Sequence, residues 1–154
     1  MAGTALVTGG SGYIAGFLIR QLIDNGWTVH TTVRNLKREP EVRGWLGVDN
    51  DRLKFFAADL ERDAGWAESI AGCTHVAHVA SPFPLGVPKH ADELVVPARE
   101  GALRALRFAR AAGIKRFVLT SSMAAIAYGH GDGGGIYSEA DWTNLDNPGV
   151  MPYP

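Results

Sequence analysis

Apolar positions along the chain fall into two alternating kinds of segment. Short runs, β-branched or uniformly apolar, are separated by longer stretches in which apolar residues recur at helical spacing. The first run, Ala5-Leu6-Val7, leads straight into Gly9, Gly10 and Gly12. From Tyr13 the period changes: Ile14, Leu18 and Leu22 share a helical face with Phe17 beside them, and Asn25-Gly26 stops the helix. Thr28 to Val33 reads as a second strand and Leu53 to Ala57 as a third, with a short helix over Glu39 to Leu46 between them. Asp63 to Gly72 predicts a short helix with Asp63 as N-cap and Gly72 as C-cap. His75 to Ala80 reads as a fourth strand, ended by Ser81-Pro82. Glu93 to Ala112 is a helical stretch closed by Gly113, and Arg116 to Thr120 is a fifth strand. Beyond Ser121 the pattern decays into a glycine-rich loop over residues 129–135 and a tail, Tyr137 to Pro154, with no convincing strand or long helix.

Strands that alternate with helices at this spacing define βαβ units, because a parallel return needs a crossover. Right-handed crossovers then make a doubly wound parallel sheet, Rossmann-like and in three αβα layers, the expected fold. At 154 residues the chain suits one domain, and 46% apolar against 20% charged residues is enough for a real core. Fifteen basic against 16 acidic side chains leave a net charge of −1, which argues against binding nucleic acid by bulk electrostatics. Cys73 is the single cysteine, so no internal disulfide and no cysteine metal cage can form, and a reducing compartment suits it. No apolar run approaches the roughly 18 residues that span a membrane. Met1-Ala2-Gly3-Thr4 lacks the basic region of a signal peptide, so a cytoplasmic location is expected.

The strongest chemical signal is Thr8-Gly9-Gly10-Ser11-Gly12-Tyr13-Ile14-Ala15. It follows a strand and opens a helix, the setting in which a glycine loop holds a dinucleotide. Glycine permits a tight turn and close approach of the backbone to a pyrophosphate, and the helix start offers N–H groups and positive charge. Ala15 stands where a third small residue lets helix and strand pack closely. Binders of NAD usually carry an acid about 20 residues further on, for the ribose 2′-hydroxyl. The second strand instead ends Thr32-Val33-Arg34-Asn35, with Lys37 and Arg38 beyond. A guanidinium at Arg34 suits a 2′-phosphate, which points to NADP rather than NAD; the plainer alternative is a solvated charge at a strand end.

These blocks, with Ala58-Asp59-Leu60, His78-Val79-Ala80-Ser81-Pro82, Thr120-Ser121-Ser122 and Ser138-Glu139-Ala140-Asp141-Trp142, resemble the extended short-chain dehydrogenase/reductase family. Within it the chain looks like the dihydroflavonol-reductase and aldehyde-reductase branch. The resemblance implies that Gly9, Gly12, Tyr13, Ile14, Arg34 and Thr120 belong to the cofactor site, and that Asp59 and Leu60 contact the adenine. Val79, Ala80 and Ser81 would line the ribose and nicotinamide side, and Ser122 would match the catalytic serine that hydrogen-bonds a substrate carbonyl. Without the family, Ser121-Ser122 reads only as a strand end followed by a turn. The family's proton donor is a tyrosine with a lysine four positions on. Asn147 to Tyr153 resembles the segment leading into that motif, so Tyr153 is the candidate, with Tyr128 and Tyr137 as rivals. The matching lysine would fall past Pro154. A tyrosine titrates near pH 10 unaided, and a neighbouring ammonium stabilises its phenolate. The chain is therefore expected to be the cofactor lobe, truncated before a C-terminal substrate lobe, and to bind cofactor weakly and turn over poorly by itself.

The implied activity is NADPH-dependent reduction of a small carbonyl substrate (aldehyde, ketone or dihydroflavonol-like) by hydride transfer. The alternatives are a nucleotide-sugar epimerase or dehydratase and a non-catalytic NADP-binding module. Either a monomer or a homodimer fits. Other features read as structural. His30, His75, His78, His90 and His130 show no zinc-helix spacing, and His75 and His78 point to opposite faces of one strand. Arg104, Arg107 and Arg110 read as a solvated helix face, Cys73 as a packing residue, and Trp45 and Trp66 as covers for the sheet's edges.

Overall fold

A computed structural model describes residues 2–82, 88, 90–131 and 135–150. The β-branched and apolar runs form five strands: β1 (Thr4–Val7), β2 (Thr28–Val33), β3 (Leu53–Ala57), β4 (His75–His78) and β5 (Arg116–Leu119). Four helices connect them: α1 (Tyr13–Asp24), α2 (Glu39–Leu46), α3 (Trp66–Ile70) and α4 (Asp92–Ala111). Single 3-10 turns at Leu36–Arg38 and Met123–Ala125 complete the regular structure. The sheet is wholly parallel in the order β3-β2-β1-β4-β5. The chain winds outward from β1 through β2 to β3, then crosses back to lay β4 on the other side of β1. That reversal puts a topological switch point between β1 and β4, where the carboxyl ends of two strands diverge and a crevice opens.

Alternation along β1 divides the core. Val7 points into a cluster with Ala15, Ile19 and Ile23 of α1, Val42 and Leu46 of α2, and Val29 and Leu53 of the neighbouring strands. Leu6 points the opposite way, to Trp66 and Ile70 of α3, Val76 of β4, and Ala105 and Ala109 of α4. The result is the three-layer αβα sandwich expected from the alternation. Among the described residues no helix is long and apolar enough to cross a membrane.

Three elements differ from their sequence reading. The face of α1 that meets the sheet is Ala15, Gly16, Ile19 and Ile23, one position on from the expected Ile14 and Leu18. Ile14 and Phe17 stand 59% and 64% exposed. Gly16 explains the rotation: a Cβ there would lie 2.2 Å from the Trp45 ring, so that side of α1 must approach α2 closely. Next, α3 starts at Trp66 and not at Asp63. Gly65, at φ +83, is its N-cap, and a Cβ there would come 1.8 Å from the Ala57 carbonyl oxygen. The chain is thus pinned against the end of β3 before it can turn helical. Finally, β4 ends at His78, because the next two N–H groups leave the ladder for the Thr8 hydroxyl.

The tryptophans also part company. Trp66 is 1% exposed in the second core, whereas Trp45 lies half-exposed over Gly16. Trp66 therefore belongs to the core and does not cover a sheet edge. Cys73 packs against the same core, and burial pushes its thiol up to about 11. His75 meets the Trp27 ring on one side of the sheet, and His78 meets Trp66 and Phe117 on the other.

Candidate functional site

The crevice at the switch point is a cleft of about 560 Å³, within the usual range of about 300–1,000 Å³ for small-molecule sites. Its floor is the turn between β1 and α1. Gly9 adopts φ +74, and a Cβ there would fall 2.9 Å from the Ala80 side chain. No other residue type fits at Gly9 without moving the opposite wall. Its N–H donates to Thr32 Oγ1 at 3.0 Å, the Gly10 N–H to the Thr32 carbonyl at 2.8 Å, and the Gly12 N–H to the Gly9 carbonyl at 2.8 Å. The turn is thereby tied to β2. Gly12 caps α1 without a side chain, and the first turn carries no acid. The first N–H groups of the helix are thus left for an anion.

The second strand supplies one side wall, through Thr32, Val33 and Arg34. Arg34 is exposed and has no ion-pair partner among the described residues. Arg38, by contrast, is held by Glu41 at 2.8 Å, and that hydrogen bond raises the guanidinium's pKa further. Of the two arginines beyond β2, only Arg34 is therefore free to meet an anion in the cleft.

Asp59 and Leu60 lie on the same side, in a turn braced by the buried Trp66 and the partly buried Arg104. Trp66 Nε1 donates to the Asp59 carbonyl at 2.9 Å. The Arg104 guanidinium donates to the Leu60 carbonyl and meets the Asp63 carboxylate at 2.5 Å. Arg104 accordingly does not belong to a solvated stripe: its side chain is 16% exposed. A Cβ on Gly101 of α4 would lie 3.1 Å from Leu60 Cβ, so the helix approaches this turn closely. The opposite wall is Val79, Ala80, Ser81 and Pro82.

The cleft therefore gathers Gly9, Gly12, Tyr13, Ile14, Arg34, Asp59, Leu60, Val79, Ala80 and Ser81 along one surface. It does not gather Thr120 or Ser122. Thr120 follows β5 and donates its N–H to the His78 carbonyl at 3.0 Å. Ser122 caps the 3-10 turn that follows, its Oγ accepting from the Ala124 N–H at 3.1 Å, so its own hydrogen is free to donate. Tyr153 lies outside the described residues. The rivals Tyr128 and Tyr137 flank the glycine-rich loop, where Tyr137 stacks on His130 at 4.7 Å. In the Ser138–Trp142 block, Ser138 donates to Asp141 from its N–H and its hydroxyl, which holds that carboxyl below its usual range. Sequence reasoning missed Thr8, Thr32, Trp66 and Arg104. Both threonines sit at strand ends beside the glycine loop, and that position was the available signal. The two braces are long-range contacts with no local signature.

A parallel sheet with a glycine turn, an uncapped helix start and a cleft at its switch point defines a dinucleotide-binding domain. The profile of the NAD dependent epimerase/dehydratase family matches residues 5–150, and the chain belongs to that family, the extended short-chain dehydrogenases/reductases. It is 35% identical over 146 residues to an anthocyanidin reductase of Vitis vinifera, covering 93% of this chain and 43% of that one. It is 42% identical over 125 residues to a cinnamoyl-CoA reductase of Medicago truncatula, covering 79% and 38%. Its fold superposes on crystalline vestitone reductase of Medicago sativa with TM-score 0.76, at 32% identity, covering 94% of this chain and 44% of that one. Gre2 of Candida albicans in complex with NADPH superposes with TM-score 0.77 at 25% identity, covering 92% and 44%. The chain thus spans less than half the length of these relatives.

Proposed function

We propose that this chain forms the cofactor-binding part of an NADPH-dependent reductase that converts a carbonyl group to an alcohol. The reading is supported by three reductases among its relatives, by the likeness to Gre2 in complex with NADPH, and by the glycine turn and uncapped helix start that border the cleft. The single observation that carries NADP over NAD is Arg34: an exposed guanidinium lining the cleft, without an ion-pair partner among the described residues, where an NAD binder would place a carboxylate. Gly9, Gly12 and the start of α1 hold the pyrophosphate, Tyr13 and Ile14 border it, and Arg34 receives the 2′-phosphate. Asp59 and Leu60 flank the adenine, while Val79, Ala80 and Ser81 face the ribose and nicotinamide. A bound nicotinamide would supply the hydride. Ser122 donates a hydrogen bond to the carbonyl oxygen, and Tyr153 delivers the proton that completes the alcohol. The substrate class is a small or aromatic aldehyde or ketone.

Calorimetric titration with NADPH and NADH tests the reading on the chain and on Arg34→Ala. A charge-assisted contact to the 2′-phosphate is worth about tenfold or more in affinity. NADPH should therefore bind at least about tenfold tighter, and the substitution should remove the difference. Equal binding of both nucleotides, or of neither, would overturn the assignment.

A further inference from the structure

We propose that His78 is the proton acceptor that orients the Thr8 hydroxyl, and that this buried pair positions the Val79–Ala80 wall against the glycine turn. The hydroxyl of Thr8 sits at a three-way junction. The N–H groups of Val79 and Ala80 both donate to Thr8 Oγ1, each at 3.0 Å. A hydroxyl oxygen has two lone pairs and one hydrogen. The two N–H groups use both lone pairs, so the hydrogen must leave in a third direction. The remaining hydrogen-bond partner is His78 Nδ1, 2.9 Å away. Thr8 therefore donates, His78 Nδ1 accepts, and the imidazole proton sits on Nε2.

The surroundings hold this tautomer in place. Thr8 is 0% and His78 2% exposed, so water cannot replace a lost partner. The imidazole packs against the rings of Trp66 from α3 and Phe117 from β5. Burial keeps it neutral, its pKa pushed down to about 4.

The placement matters because β4 stops at His78. The next two N–H groups bond to a side chain of β1's extension instead of a strand, and this bend brings Ala80 against Gly9. If His78 could not accept, the hydroxyl hydrogen would compete with the two N–H groups for the same space, and the wall would lose its fixed distance from the glycine turn. The consequence for the cofactor rests on the NADPH reading above; the tautomer does not.

Two measurements on the 154-residue chain separate these. In long-range ¹H–¹⁵N spectra at neutral pH, the resonance lost in His78→Asn identifies His78. It should show a bare Nδ1 and a protonated Nε2, with Nδ1 shifted in Thr8→Val and restored in Thr8→Ser. An Nδ1–H tautomer, or no response to Thr8→Val, would overturn the proposal whether or not nucleotide binds. NADPH titration supplies the second measurement. Thr8→Val and His78→Leu should weaken binding about tenfold, the worth of one hydrogen bond. His78→Asn places a carbonyl acceptor near the Nδ1 position and should recover most of that loss. Asparagine doing no better than leucine would also overturn the acceptor role. Failure of the wild-type chain to bind NADPH would count against the cofactor reading alone, and the spectra would still decide the pair. If His78→Leu does not fold, Thr8→Val and His78→Asn carry the comparison.

Discussion

Gly9 and Gly65 illustrate two different demands on a single residue. Both sit at positive φ, where a side chain costs about 1–2 kcal/mol from the backbone alone. At Gly65 the added Cβ meets a carbonyl oxygen of β3 at 1.8 Å, and backbone cannot step aside. Gly65→Ala should cost about 3 kcal/mol or more in urea unfolding, through the packing of α3. At Gly9 the obstacle is the Ala80 side chain at 2.9 Å, which belongs to the wall of the cleft. Gly9→Ala should lose less stability than Gly65→Ala and far more NADPH affinity, read by the same denaturation and a calorimetric titration. His78 adds a dependence on pH. Its folded value of about 4 lies below the ordinary 6.5, so the unfolded chain takes up the proton first as pH falls. The stability linked to this group is complete above pH 6.5 and drains away between there and pH 4, by about 3 kcal/mol at most. Urea midpoints measured across that window should fall more steeply for the wild type than for His78→Asn.

Among the elements, α4 does more than cross from β4 to β5. Through Arg104 it reaches the Leu60 carbonyl and Asp63, and with Trp66 of α3 it fixes the turn that borders the cleft. Asp63 is 71% exposed, so its ion pair contributes little; the bond to the partly buried Leu60 carbonyl is the larger part. Arg104→Met should cost about 1–2 kcal/mol and weaken NADPH binding, whereas Asp63→Asn should change stability by less than about 0.5 kcal/mol. Paired thermal melts and titrations check both. The same elements show what a sequence can reveal. The five strands were legible to within two residues, because each is a short β-branched or apolar run bounded by glycine, proline or polar residues. The glycine turn, Arg34 and both sides of the cleft were legible through the motifs that flank each strand. The orientation of α1 was not, since Gly16 rotates the helix toward Trp45 of another element. The start of α3 was hidden in the same way: Asp63 has the chemistry of a cap but spends it on Arg104, 41 residues away.

At the scale of the molecule, the two faces of the sheet are covered unequally. The β1–β2–β3 side is closed by α1 and α2. Around β5, Val118 and Leu119 are 56% and 53% exposed, and Val118 borders an apolar cleft of about 180 Å³ with Leu18, Leu22 and Trp27. Apolar surface of this kind drives association. Val118→Thr should raise the concentration at which the chain remains monomeric, as read by sedimentation velocity, and leave the NADPH affinity unchanged.

Thr8 and His78 touch across 70 residues of sequence, and that separation orders events during synthesis. When β1, α1, β2, α2 and β3 have emerged from a ribosome, three strands can already pair, yet one edge of β1 stays bare. The nucleotide pocket then has a floor and one side only. A nascent chain paused before residue 75 should neither retain nucleotide nor bury that edge, and it would offer β1 to any other strand nearby. Insertion of β4 covers that edge and adds the second side of the cleft in one step, so on the proposed reading a gain of nucleotide affinity should coincide with the loss of aggregation through β1.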